Sequence, residues 1–436
     1  MPVVDGFPHT TAATSGGLNG RADAVRTRSV QVGGRAAAWD ARAARWSIAD
    51  VPLNPGINHL LVQSFDAGGQ EMDRTYIDVW RDTGATQDVA GPIATDTTWS
   101  AAAGPYQLAG EVTVAAGATL TIEPGTSVYF DAGAQLTVRG RLVAEGNDLE
   151  WIRFTRTPGS AATWNGVQFV DTSQENRIAY AVLEYGVTDR GMIGLVNSRA
   201  DLNYLLLDHT NRRRIELSNA SMTLRNSTFT DMFGPEEPPN NVSEQVHGVG
   251  IASGGQMIIE NNWFGTTKGH NDVIDFSGPA RPGPILQVLG NTFTGSGDEL
   301  LDLGGDAYIE GNLFQNVHKD EFNTAVGDAN AISTGDDNFN ANITVVRNVF
   351  RDVDHAVYLK GGTFMVFENN TVIDIPDDTA EAEFSAINFV IPGRDAPGRG
   401  ALLDGNIFVN IPQRIFGHVD EGTTTDLVMR NSLVPP

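Results

Sequence analysis

From Asn226 onward one phrase keeps returning: a hydrophobic stretch, an Asn, then an aromatic or aliphatic residue two places on. It reads Ile259-Glu260-Asn261-Asn262-Trp263-Phe264, then Leu289-Gly290-Asn291-Thr292-Phe293, then Glu310-Gly311-Asn312-Leu313-Phe314. Val346-Arg347-Asn348-Val349-Phe350, Glu368-Asn369-Asn370-Thr371-Val372, Asp404-Gly405-Asn406-Ile407-Phe408 and Arg430-Asn431-Ser432-Leu433 continue it, and Asn226-Ser227-Thr228-Phe229 is a looser first copy. The apolar anchors Phe229, Phe264, Phe293, Phe314, Phe350, Val372 and Phe408 are spaced by 35, 29, 21, 36, 22 and 36 residues. A rung of about 21 residues with loops of variable length accounts for these intervals. Such a period marks a solenoid, in which each repeat buries its apolar face only against its neighbours. The β-rich phrases make this one a parallel β-helix. A stacked Asn can bond its copies in adjacent coils, and stacked aromatics fill the interior.

The start of the chain has a different pattern. Val30-Gln31-Val32, Trp46-Ser47-Ile48, His59 to Phe65 and Tyr76 to Trp80 are short alternating strands, with turn signals at Gly33-Gly34, Asn54-Pro55-Gly56 and Ala67-Gly68-Gly69. That spacing predicts a small β-sandwich. The phrase Leu53 to Phe65 resembles the Ig-like modules that precede catalytic or binding domains in large bacterial surface proteins. Arg81 to Asp96 is polar and reads as a linker. Beyond it, Val112-Thr113-Val114, Leu120-Thr121-Ile122, Ser127 to Phe130 and Leu136-Thr137-Val138 are strands separated by Gly turns. This text resembles the first coils of right-handed parallel β-helices. The expected fold is therefore all-β: an Ig-like β-sandwich over residues 1–88 and a right-handed parallel β-helix over 89–436. Helix is expected only as a cap near Gln315 to Ala325 or in a loop at Asp377 to Phe384.

Charge narrows the partners. Against 29 Lys and Arg stand 54 Asp and Glu, a net charge of −25. Nucleic acid and anionic membrane are poor partners for such a chain. A polyanionic substrate would be repelled unless metal ions or a local basic patch intervene. With no cysteine there is no disulfide, zinc-thiolate site or Cys nucleophile. No apolar run is long enough to span a membrane. The start Met1-Pro2-Val3-Val4-Asp5 is no signal peptide, and the end at Pro435-Pro436 follows a repeat phrase, as in a piece of a longer array. The expectation is an extracellular or cell-surface protein that acts as a monomer.

The segments following the Asn phrases carry the candidate chemistry. They begin His247-Gly248, Asn271-Asp272-Val273-Ile274-Asp275, Asp298-Glu299-Leu300-Leu301-Asp302, Asp328-Ala329-Asn330 and Asp354-His355. Aligned, they set Asp275 over Asp302 and Asp272 over Glu299, about 4.8 Å apart. Carboxylates that close repel and drive at least one pKa up. A hard cation resolves the conflict, and Ca²⁺ takes six to eight oxygens. Asp272, Asp275, Asp298, Glu299 and Asp302 are the expected ligands.

Asp298-Glu299-x-x-Asp302-Leu303 resembles the D-D-x-x-D-L Ca²⁺ motif of polysaccharide lyase family 9, a group of β-helix uronate lyases. The family's additional Asp from the preceding coil maps to Asp275. Tyr358-Leu359-Lys360-Gly361-Gly362 resembles its Lys-bearing F-K-L-G-G phrase, with the Lys displaced by one place. The resemblance implies Ca²⁺-assisted β-elimination on a uronate polysaccharide: the cation stabilises the developing enolate, and a Lys takes the α-proton. Lys360 is the first candidate base and Lys319 the second. Arg281, Arg347 and Arg351 are candidates to grip a neighbouring sugar acid, with His318 as a further substrate contact. Gly335-Asp336-Asp337-Asn338 resembles the G-D-D phrase of β-helix polygalacturonases, whose other signatures are missing. Trp151, Trp164, Trp263 and Phe264 are candidate sugar platforms. Two other functions fit the same residues: a glycoside hydrolase using two of the acids as acid and base, and a non-catalytic adhesive solenoid with structural Ca²⁺.

Overall fold

The computed structural model describes residues 3–4, 7–11, 13–232, 243–324, 329–335, 340–376, 384–389, 396–412, 414–419 and 426–434. The chain is all-β, a right-handed parallel β-helix preceded by a small, mainly antiparallel sheet, and no helix occurs among the described residues. The segment expected to cap as a helix from Gln315 instead continues the strand Leu313–Val317, which pairs with Val349–Val353. Val317 belongs to the rung, so the apolar period of two outweighs the polar text after it. The second expected helix and the Asp336 to Asn338 phrase lie, except for Phe384, outside the described residues.

The fold divides into two compact units: Met1–Trp164 with Asn176–Tyr185, and Asn165–Glu175 with Gly186–Pro436. In the first, Gly56–Phe65 pairs antiparallel with both Glu71–Asp82 and Ser29–Val32, while Arg45–Pro52 pairs with Arg35–Asp40 and Ser15–Arg21. Alternate residues turn inward to a core of Val30, Val32, Trp46, Val51, Leu60, Val62 and Val79. Parallel coils follow, with Leu120 beside Leu142, Val112 beside Leu136 and Val128 beside Phe154. Arg153, 3 % exposed, ties the two parts together. It grips Glu184 at 3.0 and 2.7 Å and Asp78 at 2.8 Å.

The second unit explains the recurring phrase. Phe229, Phe264, Phe293, Phe314 and Phe350 stand in register, and their rings stack at 4.6, 5.0, 5.0 and 4.9 Å. Each buried Phe contributes roughly 1.5–3 kcal/mol of burial. Asn262, Asn291, Asn312, Asn348, Asn370 and Asn406 form a buried ladder. Each side-chain amide donates to the next coil's Asn Oδ1, at 2.9, 3.0, 2.9, 3.0 and 3.3 Å. Each backbone N–H from Asn262 to Asn370 donates to that same oxygen.

The residue before each ladder position is left-handed: Asn261 (φ 55°), Gly290 (62°), Gly311 (69°), Arg347 (56°), Asn369 (54°) and Gly405 (66°). Gly and Asn tolerate that region best, hence the recurring Gly-Asn and Asn-Asn pairs. It also corrects the phase of two copies. Asn226 (49°) and Asn431 (50°) are the left-handed residues, and Ser227 and Ser432 take the ladder positions: the Ser227 backbone N–H donates to Asn262 Oδ1, and Ser432 Oγ accepts the Asn406 N–H.

Candidate functional site

One strand of each coil in the second unit builds the site. Val246–Ile251, Ile274–Ser277, Glu299–Gly304, Asn330–Thr334 and His355–Tyr358 run parallel and in register. Their pairing stacks His247, Asp275, Asp302, Ser333 and Tyr358 in one column. A second column holds Glu299, Asn330, His355 and Ser385. Asp272 lies one coil before Glu299, and its Oδ1 accepts the Glu299 backbone N–H at 3.1 Å. The expected stacking of Asp275 on Asp302 and Asp272 against Glu299 is what the register gives.

Carboxylate oxygens of Asp272, Asp298 and Glu299 all lie within 4.8 Å of one another. Burial, with Glu299, Asp302, Asp298 and Asp275 around it, pushes the Asp272 carboxyl well above the usual carboxylate range. Glu299 is likewise pushed well up, by burial, by Asp298 and Asp302, and by a hydrogen bond shared with Asp298; Lys360 opposes the rise. Asp302 is raised by burial while Lys360 pulls it back. Its Oδ1 is buried without a hydrogen-bond partner. Asp272 is 6 % exposed, whereas Asp298, Glu299, Asp302 and Lys360 are half-buried and can meet solvent. Such a cluster can hold a proton at a pH where an ordinary carboxyl has lost it, or it can hold a cation.

Lys360 is therefore the one candidate base within electrostatic reach of the acids. Lys319 is exposed, and its backbone N–H bonds Asp354. His318 sits between Asp354 at 2.8 Å and Asp352 at 3.1 Å, which raise its pKa. The arginines are engaged or turned elsewhere. Arg281 holds Asp306 at 3.0 Å and the Asn342 carbonyl at 2.8 Å. Arg347 pairs with Glu310 at the ladder turn. Arg351 is exposed on Val349–Val353, beside Gln315 and Ile373. Trp164 and Phe264 are fully buried core, while Trp263 is 50 % exposed.

Sequence reading gave no site role to five neighbours. Asn330, 3 % exposed, donates to Glu299 Oε1 at 2.9 Å. His247 bonds Glu216 at 2.9 Å and reaches Asp275 at 3.6 Å, while Arg213 holds Glu244 at 2.7 Å and Glu216 at 3.1 Å. The signal was a matter of alignment. Starting the fourth segment at Ala329 instead of Asp328 puts Asn330 on Glu299 and Ser333 on Asp302.

No known protein family matches the sequence, and no curated protein resembles it closely. Solved structures share the fold. The catalytic domain of a GH87 alpha-1,3-glucanase in complex with nigerose aligns at TM-score 0.49 and 11 % identity, over 96 % of this chain and 89 % of that one. An aspartate-to-alanine variant of such a domain, also with nigerose, aligns at TM-score 0.51 with the same identity and coverage. A family 28 exopolygalacturonase of Yersinia enterocolitica aligns at TM-score 0.31 and 10 % identity, over 98 % of both chains.

Proposed function

We propose that this chain is a carbohydrate-active enzyme, a glycoside hydrolase that cleaves a neutral polysaccharide at Asp272, Asp298 and Glu299. The observation that carries this reading is the cluster itself: three carboxyls with oxygens within 4.8 Å of one another, two with pKa values pushed well up. Glu299 is the general acid, because it is half-exposed and its pKa is pushed well up. It gives that proton to the leaving glycosidic oxygen as the anomeric C–O bond breaks. Asp298, which shares the Glu299 hydrogen bond, takes a proton from the attacking water. Asp272 is the buried carboxyl that holds the Glu299 backbone N–H, while burial, Asp298 and Asp302 keep the Glu299 pKa high. An acidic site in a chain of net charge −25 favours a neutral glycan over a uronate. The aligned glucanase domain, named for a neutral glucan, agrees with that choice of substrate class.

A second reading has its own observation. Oxygens no more than 4.8 Å apart suit a Ca²⁺ ion, whose ligands sit at about 2.3–2.6 Å. Asp272, Asp298 and Glu299 would hold it, with the unpartnered Asp302 Oδ1 as a further donor. Bound there, the ion would neutralise a uronate carboxylate and its enolate. Lys360 would then take the α-proton, which makes the chain a polysaccharide lyase. One experiment separates the two. Neutral and uronate polysaccharides are incubated with Ca²⁺ or with chelator, and new reducing ends and absorbance near 235 nm are read together. Reducing ends on a neutral glycan, insensitive to chelator and lost in Glu299→Gln, support hydrolysis. A Ca²⁺-dependent rise at 235 nm that needs Lys360 replaces it with the lyase. Neither signal on any glycan overturns both.

A further inference from the structure

The first unit holds a recess that the acidic cluster does not use. Its volume is about 390 Å³, and its wall includes Arg35, Asn54, Asn58, Leu149, Glu150 and Trp151. Small-molecule sites typically begin near this size, with apolar walls and a few converging polar groups. The recess is built from two structures that the sequence keeps apart. The turn after Ser29–Val32 and the loop before Gly56–Phe65 supply one side, and the Asn147–Glu150 turn the other.

The polar groups there divide into two kinds. Some are spent on holding the wall. Asn58 donates to the Asn54 and Gly56 carbonyls and accepts the Asn54 N–H, and Asn147 Oδ1 caps the backbone of Leu149 and Glu150. Others face no protein partner. No side-chain hydrogen bond or ion pair joins Arg35, Glu150 or the Asn54 amide to another described residue. Trp151, 9 % exposed, lines the recess with its ring packed against His59 and Tyr76. Leu149 stays 39 % exposed although it lines the same recess.

We propose that this recess is a saccharide-binding site, separate from the acidic cluster and independent of what that cluster catalyses. A guanidinium and a carboxylate that share a recess without pairing suit a neutral ligand able to accept from one and donate to the other. Adjacent sugar hydroxyls do both. The C–H face of a sugar ring covers Leu149, and the Asn54 amide supplies a further donor. The opposite charges of Arg35 and Glu150 cancel locally, and the acidic chain around them disfavours anions. In the folded protein such a site would hold a polysaccharide while hydrolysis proceeds elsewhere.

The test is binding of neutral tetrasaccharides (cellotetraose, maltotetraose and nigerotetraose) to the full chain, read by the indole N–H signals in ¹⁵N-correlated spectra. Trp151→Phe assigns the Trp151 signal by its disappearance. The expected result is a saturable shift of that signal by at least one probe. Arg35→Ala and Asn54→Ala should weaken it at least tenfold and leave the hydrolysis of a short soluble substrate unchanged. Arg35 is exposed, so its removal leaves the fold intact. A Trp151 signal that no probe moves overturns the proposal. So does binding that both variants retain. Glu299→Gln separates the two sites, because it should abolish hydrolysis and keep the Trp151 shift.

Discussion

Asn312→Ala tests the ladder where it is best formed. Asn312 is 2 % exposed. Its Oδ1 accepts the Asn291 backbone N–H at 2.8 Å and the Asn291 amide at 3.0 Å. Its Nδ2 donates to Val288 O and Asn348 Oδ1, both at 2.9 Å, and to Glu310 O at 3.1 Å. Alanine leaves the Asn291 backbone N–H buried with its acceptor gone, which costs about 1–3 kcal/mol. The other four bonds are lost less severely, because Asn291 Nδ2 keeps Ile259 O and Asn348 Oδ1 keeps the Asn312 backbone N–H. At about 0.5 kcal/mol each, the low end for a net hydrogen bond, they bring the loss to roughly 3–5 kcal/mol. Asn312→Ser should recover about 1–2 kcal/mol of this, because a hydroxyl can accept the orphaned N–H. Ser432 does so for Asn406 at 3.2 Å. Equilibrium urea unfolding is followed by circular dichroism and by Trp fluorescence, whose agreement licenses a free energy. A loss below about 1 kcal/mol for alanine would refute the ladder's assigned weight. A serine variant no better than alanine would refute the assignment of the orphaned N–H.

Glu299→Gln should cut turnover by about 10²–10⁴-fold with little change in KM, measured by reducing-end release. Lys319→Ala should change the rate less than about twofold, because a surface side chain away from the acids has no part in the transition state. Stability should also depend on pH in a definite direction. Asp272 and Glu299 have raised folded pKa values, so the folded chain binds more protons than the unfolded one above the ordinary values of 3.8 and 4.5. Their contribution is whole below those values and drains away as pH rises through the folded ones. In chelator, Glu299→Gln should flatten that fall in urea titrations; an unchanged slope refutes it. Arg153→Met should cost about 3–5 kcal/mol by stranding Glu184 and Asp78. Arg153→Met with Glu184→Met should cost less than Arg153→Met alone.

The solenoid was legible because one constraint recurs in every coil. The ladder needs an amide at one point and a left-handed residue just before it, and both leave letters in the sequence. What failed was phase. Asn226 and Asn431 were the right residue type for either role, and only the backbone distinguishes them. The same weakness limits the site. Asp272 to Asp302 could be read because two coils of the same segment length sit next to each other. Asn330 could not, because the loop before it shifts the register by one, and a register slip changes every partner on the face. Arg281 and Arg347 show a different limit: the sequence gives the charge but not the Asp306 or Glu310 that takes it up.

A β-helix has no need of carboxyls at the site. In the earlier coils Thr113 pairs with Thr137 and Thr121 with Val143, strand positions that carry no charge of their own. Asp272, Glu299 and Asp302 instead carry raised pKa values that weaken the fold as they ionise. Strain of this kind persists in natural folds chiefly where function uses it. The acids' two possible uses differ in sign. If they serve as acid and base, Asp272→Asn and Glu299→Gln remove repulsion, and the variants should be more stable at neutral pH while they lose activity. If they hold structural Ca²⁺, the same substitutions remove ligands, and the variants should be less stable than the parent in Ca²⁺ while in chelator they still gain from the lost repulsion. A urea midpoint that rises in both conditions therefore favours catalysis even before the substrate is known. A midpoint that falls only in Ca²⁺ makes the cluster a structural metal site and removes the basis for hydrolysis.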